Sequence, residues 1–258
     1  MGRLELVRKV GDGSVVEALL GKVDRQHVVV QLARPALASH AELLEGALAV
    51  AREGTVHPEL VGPGRPQRTH DGRLMVVSDP VSGWTAADLL RLAGPIAPER
   101  VVEWMVVVCE ALEALHARGR VHGCLAPRHL HVHGDPERPA VRLFDTALLH
   151  LRGPTSLPTK PCVVEPEYLS PERAQGTRGT VASDVWGVGV LIVELLRGRP
   201  PYRGANSAET RALVQYARPI PTSFFGAWRD VLRGCLAPVP ADRFTSALEL
   251  RQAVAALA

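Results

Sequence analysis

Apolar residues in the first eighty positions fall in short, β-branched runs. Leu4 to Val10, Val15 to Leu20, His27 to Leu32 and Arg73 to Ser78 each have the length and character of a strand. Between the last two, Leu43, Leu44, Ala47, Leu48 and Ala51 recur at helical spacing and predict one helix over Ser39 to Arg52. Gly62 to Gly72, with Pro63, Gly64 and Pro66, reads as loop from its breakers. After Pro80 the period changes. Thr85 is placed to cap a short helix through Leu92, and Pro98 opens a longer one through His116 that is apolar almost all round, the pattern of a buried helix. His129 to Val132 and Val141 to Phe144 predict a hairpin turning at Gly134, Asp135 and Pro136. A second buried helix is predicted from Asp184 to Leu196 with Gly198 as its stop, and two closing helices around Phe225 to Leu236 and Ser246 to Ala258. A strand-rich front and a helical back make an α+β fold in two lobes.

Composition narrows what such a fold can do. Of 258 residues, 46% are hydrophobic and 22% charged, which excludes wholesale disorder. The net charge of +3 comes from interspersed signs, so no basic block calls for nucleic acid or an anionic membrane. Lys and Arg total 30, but only Lys9, Lys22 and Lys160 are lysine. Any function that requires a lysine has three places to find one. The cysteines Cys109, Cys124, Cys162 and Cys235 are far apart and imply neither a disulfide framework nor a zinc knuckle. MGRLELVRKV has no apolar signal core, and no apolar run approaches the ~20 residues that span a bilayer. A cytoplasmic protein with no direct membrane insertion is expected, whether alone or within a longer anchored chain.

Ordered motifs then carry a resemblance. Val121 to His131 followed by Leu143-Phe144-Asp145, Tyr168-Leu169-Ser170-Pro171-Glu172, Ser183-Asp184-Val185-Trp186-Gly187, Gly198-Arg199-Pro200-Pro201-Tyr202 and Pro240-Ala241-Asp242-Arg243-Phe244 succeed one another in register. In these the chain resembles the protein kinases, particularly bacterial Ser/Thr kinases of eukaryotic type. The resemblance implies one kinase-like domain over residues 1–258, with an N-lobe to about residue 80, a hinge at about 79–83 and a C-lobe from about 84.

It also implies a site, and most of that site is altered. Phosphoryl transfer is positioning and charge neutralisation, supplied in the family by a strand lysine with an acidic helix partner, a catalytic Asp, a loop Lys, an Asn and a metal-binding Asp. By resemblance the strand lysine falls at Gln31 in Val28-Val29-Val30-Gln31, its acidic partner at Glu42 or Glu45, the catalytic Asp at Cys124, the loop Lys at Ala126 and the Asn at His129. The activation-segment Thr falls at Glu165. Of the metal-binding Asp-Phe-Gly, Asp145 remains, followed by Thr146 and Ala147. A thiol is a poor acceptor for orienting a hydroxyl, and losing a general base alone costs about 10²–10⁴-fold.

These losses predict a catalytically inactive kinase fold, a pseudokinase, acting as a regulatory or scaffolding module on a protein partner in bacterial signalling. Gly11, Gly13, Asp79, Val81 and Asp145 mark the residual nucleotide site by resemblance, with Asp145 as the one residue for a single Mg²⁺ beside ATP. Two alternatives follow: a weak atypical ATP-dependent kinase or nucleotidyl transferase, and a nucleotide-sensing switch. His129, His131 and His133 alternate as strand residues on one face would, so a transition-metal site is conceivable, but scattered polar residues on a short hairpin explain them better. Thr155, Ser156 and Thr159 are candidate phosphoacceptors or simply polar loop residues.

Overall fold

The computed structural model describes residues 3–12, 16–35, 57–61, 64–79, 83–123, 125–135, 138–144 and 165–258. The helix expected over Ser39 to Arg52, with Glu42 and Glu45, lies outside the described residues, as do Gly13, Val81, Cys124, Asp145, Thr155, Ser156 and Thr159. The chain divides into two compact units, one built from the amino-terminal residues with Val61–Ser82, the other mainly from Gly83–Leu143 and Val164–Ala258. The fold is α+β, strand-rich in the first unit and helical in the second.

The first unit holds an antiparallel sheet of β1 (Leu4–Asp12), β2 (Val16–Val23), β3 (Gln26–Ala33), β5 (Arg65–Arg68) and β6 (Leu74–Ser78), ordered β1-β2-β3-β6-β5. In β3 the alternation buries Val28, Val30 and Leu32, leaving Val29 and Gln31 on the opposite face. Two expectations are corrected here. Gly11 and Asp12 continue β1 past the expected end at Val10, pairing with Ala18 and Glu17. Arg65–Arg68 is a strand despite its breakers, because β5 lies at the sheet edge, where Pro66 gives up an N–H that faces no neighbour.

The second unit begins with β7 (Trp84–Thr85) and α1 (Ala86–Ala93), the latter closed by a capping box between Thr85 and Asp88. Helix α2 (Pro98–His116) has the predicted bounds and buries Val101, Trp104, Met105, Val108, Cys109, Leu112 and Leu115. The hairpin is β8 (Leu130–Asp135) with β9 (Arg138–Phe144), in a small sheet ordered β4-β9-β8-β7 with β4 (Leu60–Val61). The Trp104 indole N–H donates to the Pro139 carbonyl at 3.0 Å and fixes this hairpin to α2.

Among the described residues five further helices complete the unit: α3 (Pro171–Ala174), α4 (Val181–Arg197), α5 (Ser207–Tyr216), α6 (Arg229–Cys235) and α7 (Ala247–Ala255), the last of which packs on α2. Helix α4 is the centre of the core, burying every residue from Ser183 to Val193. It starts three residues before the predicted Asp184 because Thr180 and Ser183 form a capping box. It ends on Gly198 at φ 76°, a left-handed cap that favours glycine. A Cβ on Gly189 would stand 2.6 Å from the Cys235 Cβ, so its absence is what lets α4 and α6 meet. The helix expected from Phe225 begins only at Arg229, because Gly226 breaks the preceding 3₁₀ turn (Thr222–Trp228) with φ 55°, ψ −125°.

Candidate functional site

Helix α2 delivers the chain to the loop His122 to Ala126, and α4 holds that loop in place. Asp184, in the first turn of α4 and 1% exposed, accepts from the backbone N–H of His122 at 2.8 Å and of Gly123 at 2.6 Å. Its Oδ2 also lies 2.9 Å from His116 Nε2. Burial alone would raise this carboxyl, but the His116 hydrogen bond, the nearby imidazoles and the Gly123 N–H outweigh it and hold Asp184 below its ordinary range. Gly123 has φ 72° and its carbonyl accepts from Arg173, a buried guanidinium whose Nη1 would stand 3.2 Å from a Cβ at that position.

Leu125 and Ala126 of the loop are sealed into the core. Leu125 packs against Gly187 of α4, and Ala126 is fully buried. The 3₁₀ turn Pro127–His129 follows, so His129 stands before β8 and not on one strand face with His131 and His133. The His129 ring is tilted against that of His122 at 6.0 Å, while the His131 and His133 rings stack at 6.0 Å and 9°. Among the described residues no group of three or more His, Cys, Asp or Glu is arranged to hold a metal ion.

Arg128 of the same turn pairs with Glu165, which opens the 3₁₀ turn Pro166–Tyr168. Its guanidinium also lies 5.8 Å from the centre of the Tyr168 ring. The Tyr168 hydroxyl donates to Glu194 of α4 at 3.1 Å. Burial, with the neighbouring Glu167 and Glu165 carboxylates adding to it, pushes Glu194 up to about 7, and burial raises the Tyr168 phenol as well. One chain of contacts thus runs from the loop turn through Glu165 and Tyr168 to the core helix.

A second clamp holds the end of the Ser170 to Ala174 segment. Glu172 receives both terminal nitrogens of Arg243, each at 2.9 Å, and the Ser183 hydroxyl at 2.9 Å. Arg243 also donates to the carbonyls of Ala182, Ala237 and Pro238, and its guanidinium lies 4.9 Å over the Trp186 ring. Burial works against the Glu172 anion, yet the Arg243 hydrogen bonds overcome it and hold the carboxyl at about 2.

A loop anchored on Asp184, a Glu172–Arg243 clamp and the surrounding sheet and helices match one family along almost the whole chain: the protein kinase domain model covers residues 4–255. The chain belongs to the protein kinase family. It is 28% identical over 266 residues to the serine/threonine-protein kinase PknB of Mycolicibacterium smegmatis, covering 96% of this chain and 42% of that protein. Likeness of the same degree, 28% over 269 residues, links it to the serine/threonine-protein kinase Pkn1 of Myxococcus xanthus, covering 98% of this chain and 38% of that one. The chain therefore spans about two fifths of the length of these curated relatives. Among the described residues no helix is long and apolar enough to cross a membrane.

Set against a kinase, the described positions split cleanly. The architectural ones are intact: Asp184, Glu172 and Arg243 make the bonds that hold the loop and the segment. The positions that the kinase resemblance assigns to the chemical groups carry other side chains. Gln31 on β3 is a half-buried neutral amide, and Ala126 is a buried methyl. His129 ends its turn beside His122, and among the described residues it joins no cluster of three or more metal-ligating side chains. Asp79 is exposed after β6, and Gly11 lies in β1. The structure gathers Ala126, His129 and Glu165 around the Arg128 turn, while Gln31, Asp79 and Gly11 belong to the first unit. Arg128, Arg173 and Glu194 were not singled out from sequence. Gly123, a residue with no side chain beside the Arg173 guanidinium, is the sequence feature that goes with that contact.

Proposed function

We propose that this chain is a pseudokinase: a kinase fold that transfers no phosphoryl group and works by binding a protein partner, as a regulatory or scaffolding module. One observation carries the reading. Where the family's activation-segment threonine and loop lysine belong, this chain has Glu165 and Ala126, and Arg128 ties Glu165 directly to the loop turn. The connection between loop and segment is kept by a different ion pair, while the groups that neutralise transferring phosphate are gone. A fold that keeps its shape without the chemistry has that pattern; an active phosphotransferase needs positioning and charge together.

A thermal-shift titration with ATP, ADP and ATP plus Mg²⁺ tests it. A ligand present at about 100 times its Kd stabilises by about 2.7 kcal/mol, which for a chain this size raises the midpoint by roughly 5–10 °C. The pseudokinase reading expects no such rise at millimolar nucleotide. A rise that needs Mg²⁺ and disappears in Asp145→Ala would instead support the nucleotide-sensing switch, and phosphate transfer alongside it would support a weak atypical kinase or nucleotidyl transferase.

A further inference from the structure

The first sheet ends on β1, which β2 pairs on one side only; among the described residues no strand covers the other side. In its middle Leu6 and Val7 are 56% and 50% exposed, and Glu5, Arg8 and Lys9 are exposed as well. An open edge carrying adjacent apolar residues is a template for pairing with another strand.

The charges say which strand fits. Glu5 precedes the apolar pair and Arg8 follows it. Ordinary alternation would set residues three apart on opposite faces, but β1 is bulged here: Glu5, Leu6 and Arg8 stand opposite Lys22, Gly21 and Leu20, with Val7 left out of the register. Directly opposed residues share a face, and β2 alternates without interruption, so Glu5 and Arg8 lie on the same face. An antiparallel pair related by a two-fold axis normal to the sheet preserves faces. A second copy of β1 laid with Leu6 against Val7 therefore sets Glu5 of each copy against Arg8 of the other, twice over. Among the described residues neither Glu5 nor Arg8 has an ion-pair partner.

We propose that β1 pairs antiparallel with β1 of a second copy of this chain, joining two sheets across Leu6 and Val7 and two Glu5–Arg8 pairs. The interface is isologous and closes as a dimer. The bulge at Val7 and the further register shift between Lys9 and Gly11 twist the strand and confine pairing to its centre, so the dimer is short-edged and does not propagate.

Sedimentation equilibrium from about 1 µM to about 500 µM tests this on the whole chain. A concentration-dependent dimer is expected. Arg8→Glu and Glu5→Arg should each weaken it by about tenfold or more by opposing like charges, and the double variant E5R/R8E should restore it to within about threefold. Circular dichroism checks that each variant is folded. If a single swap does not fold, the wild-type dimer still answers, because it should weaken about tenfold between about 50 and 500 mM salt. A monomer throughout the range, a dimer indifferent to both swaps and salt, or a double variant that stays dissociated while folded would each overturn the proposal.

Discussion

Glu172→Gln is the sharpest probe of the clamp that holds the kinase segment. The substitution keeps the side chain's shape and removes its charge, leaving Arg243, whose side chain is 0% exposed, without a counter-ion in the core. Removing one member of a buried ion pair costs about 3–5 kcal/mol. The acidity that this environment imposes on Glu172 gives a second figure. In the folded protein the Glu172 carboxyl sits at about 2 against an ordinary 4.5, a difference equivalent to about 3 kcal/mol at 1.36 kcal/mol per unit. Because the folded value is the lower one, the unfolded chain takes up its proton first on acidification. The stabilisation is therefore complete above about pH 4.5 and is lost as pH falls towards about 2. Calorimetric unfolding at pH 7 should show the variant melting roughly 6–12 °C below wild type. The gap should narrow steadily below pH 4.5. A variant within about 2 °C of wild type at pH 7, or a gap that does not change with acid, would refute the claim that this ion pair holds the segment.

Three further outcomes follow from the same geometry. Glu194 has a folded value raised from 4.5 to about 7, so the stability of its protonated form is complete only below about pH 4.5 and is lost as pH climbs to about 7; Glu194→Gln should melt furthest above wild type at pH 8 and approach it at about pH 4, as thermal melts across pH would show. Gly189→Ala places a methyl 2.6 Å from the Cys235 Cβ and 2.9 Å from Leu236, and should destabilise by about 1–2 kcal/mol in urea titration, overpacking exceeding the gain in helix propensity. Arg128→Ala removes a pair whose side chains are 35% and 53% exposed, and should cost about 1 kcal/mol or less by the same titration.

What sequence reveals here depends on whether the cause is local. Helix α2 was legible to its end residues because Pro98 at the first turn and a nearly continuous apolar surface act within the segment itself. The start of α4 was not, since its cap comes from Thr180 and Ser183, outside the apolar run. Strand β5 was hidden by Pro66 and the glycines around it, residues whose cost depends on lying at an edge, which only the sheet order decides. The Glu172–Arg243 pairing could be anticipated from ordered motifs, and the bonds match it. The Arg128–Glu165 link could not. Its partners lie 37 residues apart, and only folding brings the two turns together.

Incubation of the purified chain with ATP labelled on the γ-phosphate, with Mg²⁺ or Mn²⁺ and generic protein substrates, addresses the central claim most directly. On the proposal that Gln31 and Ala126 stand where the family carries its cations, no label should appear on substrate or on the chain itself above a no-enzyme control. Label that accumulates with time and vanishes in Asp145→Ala would contradict it.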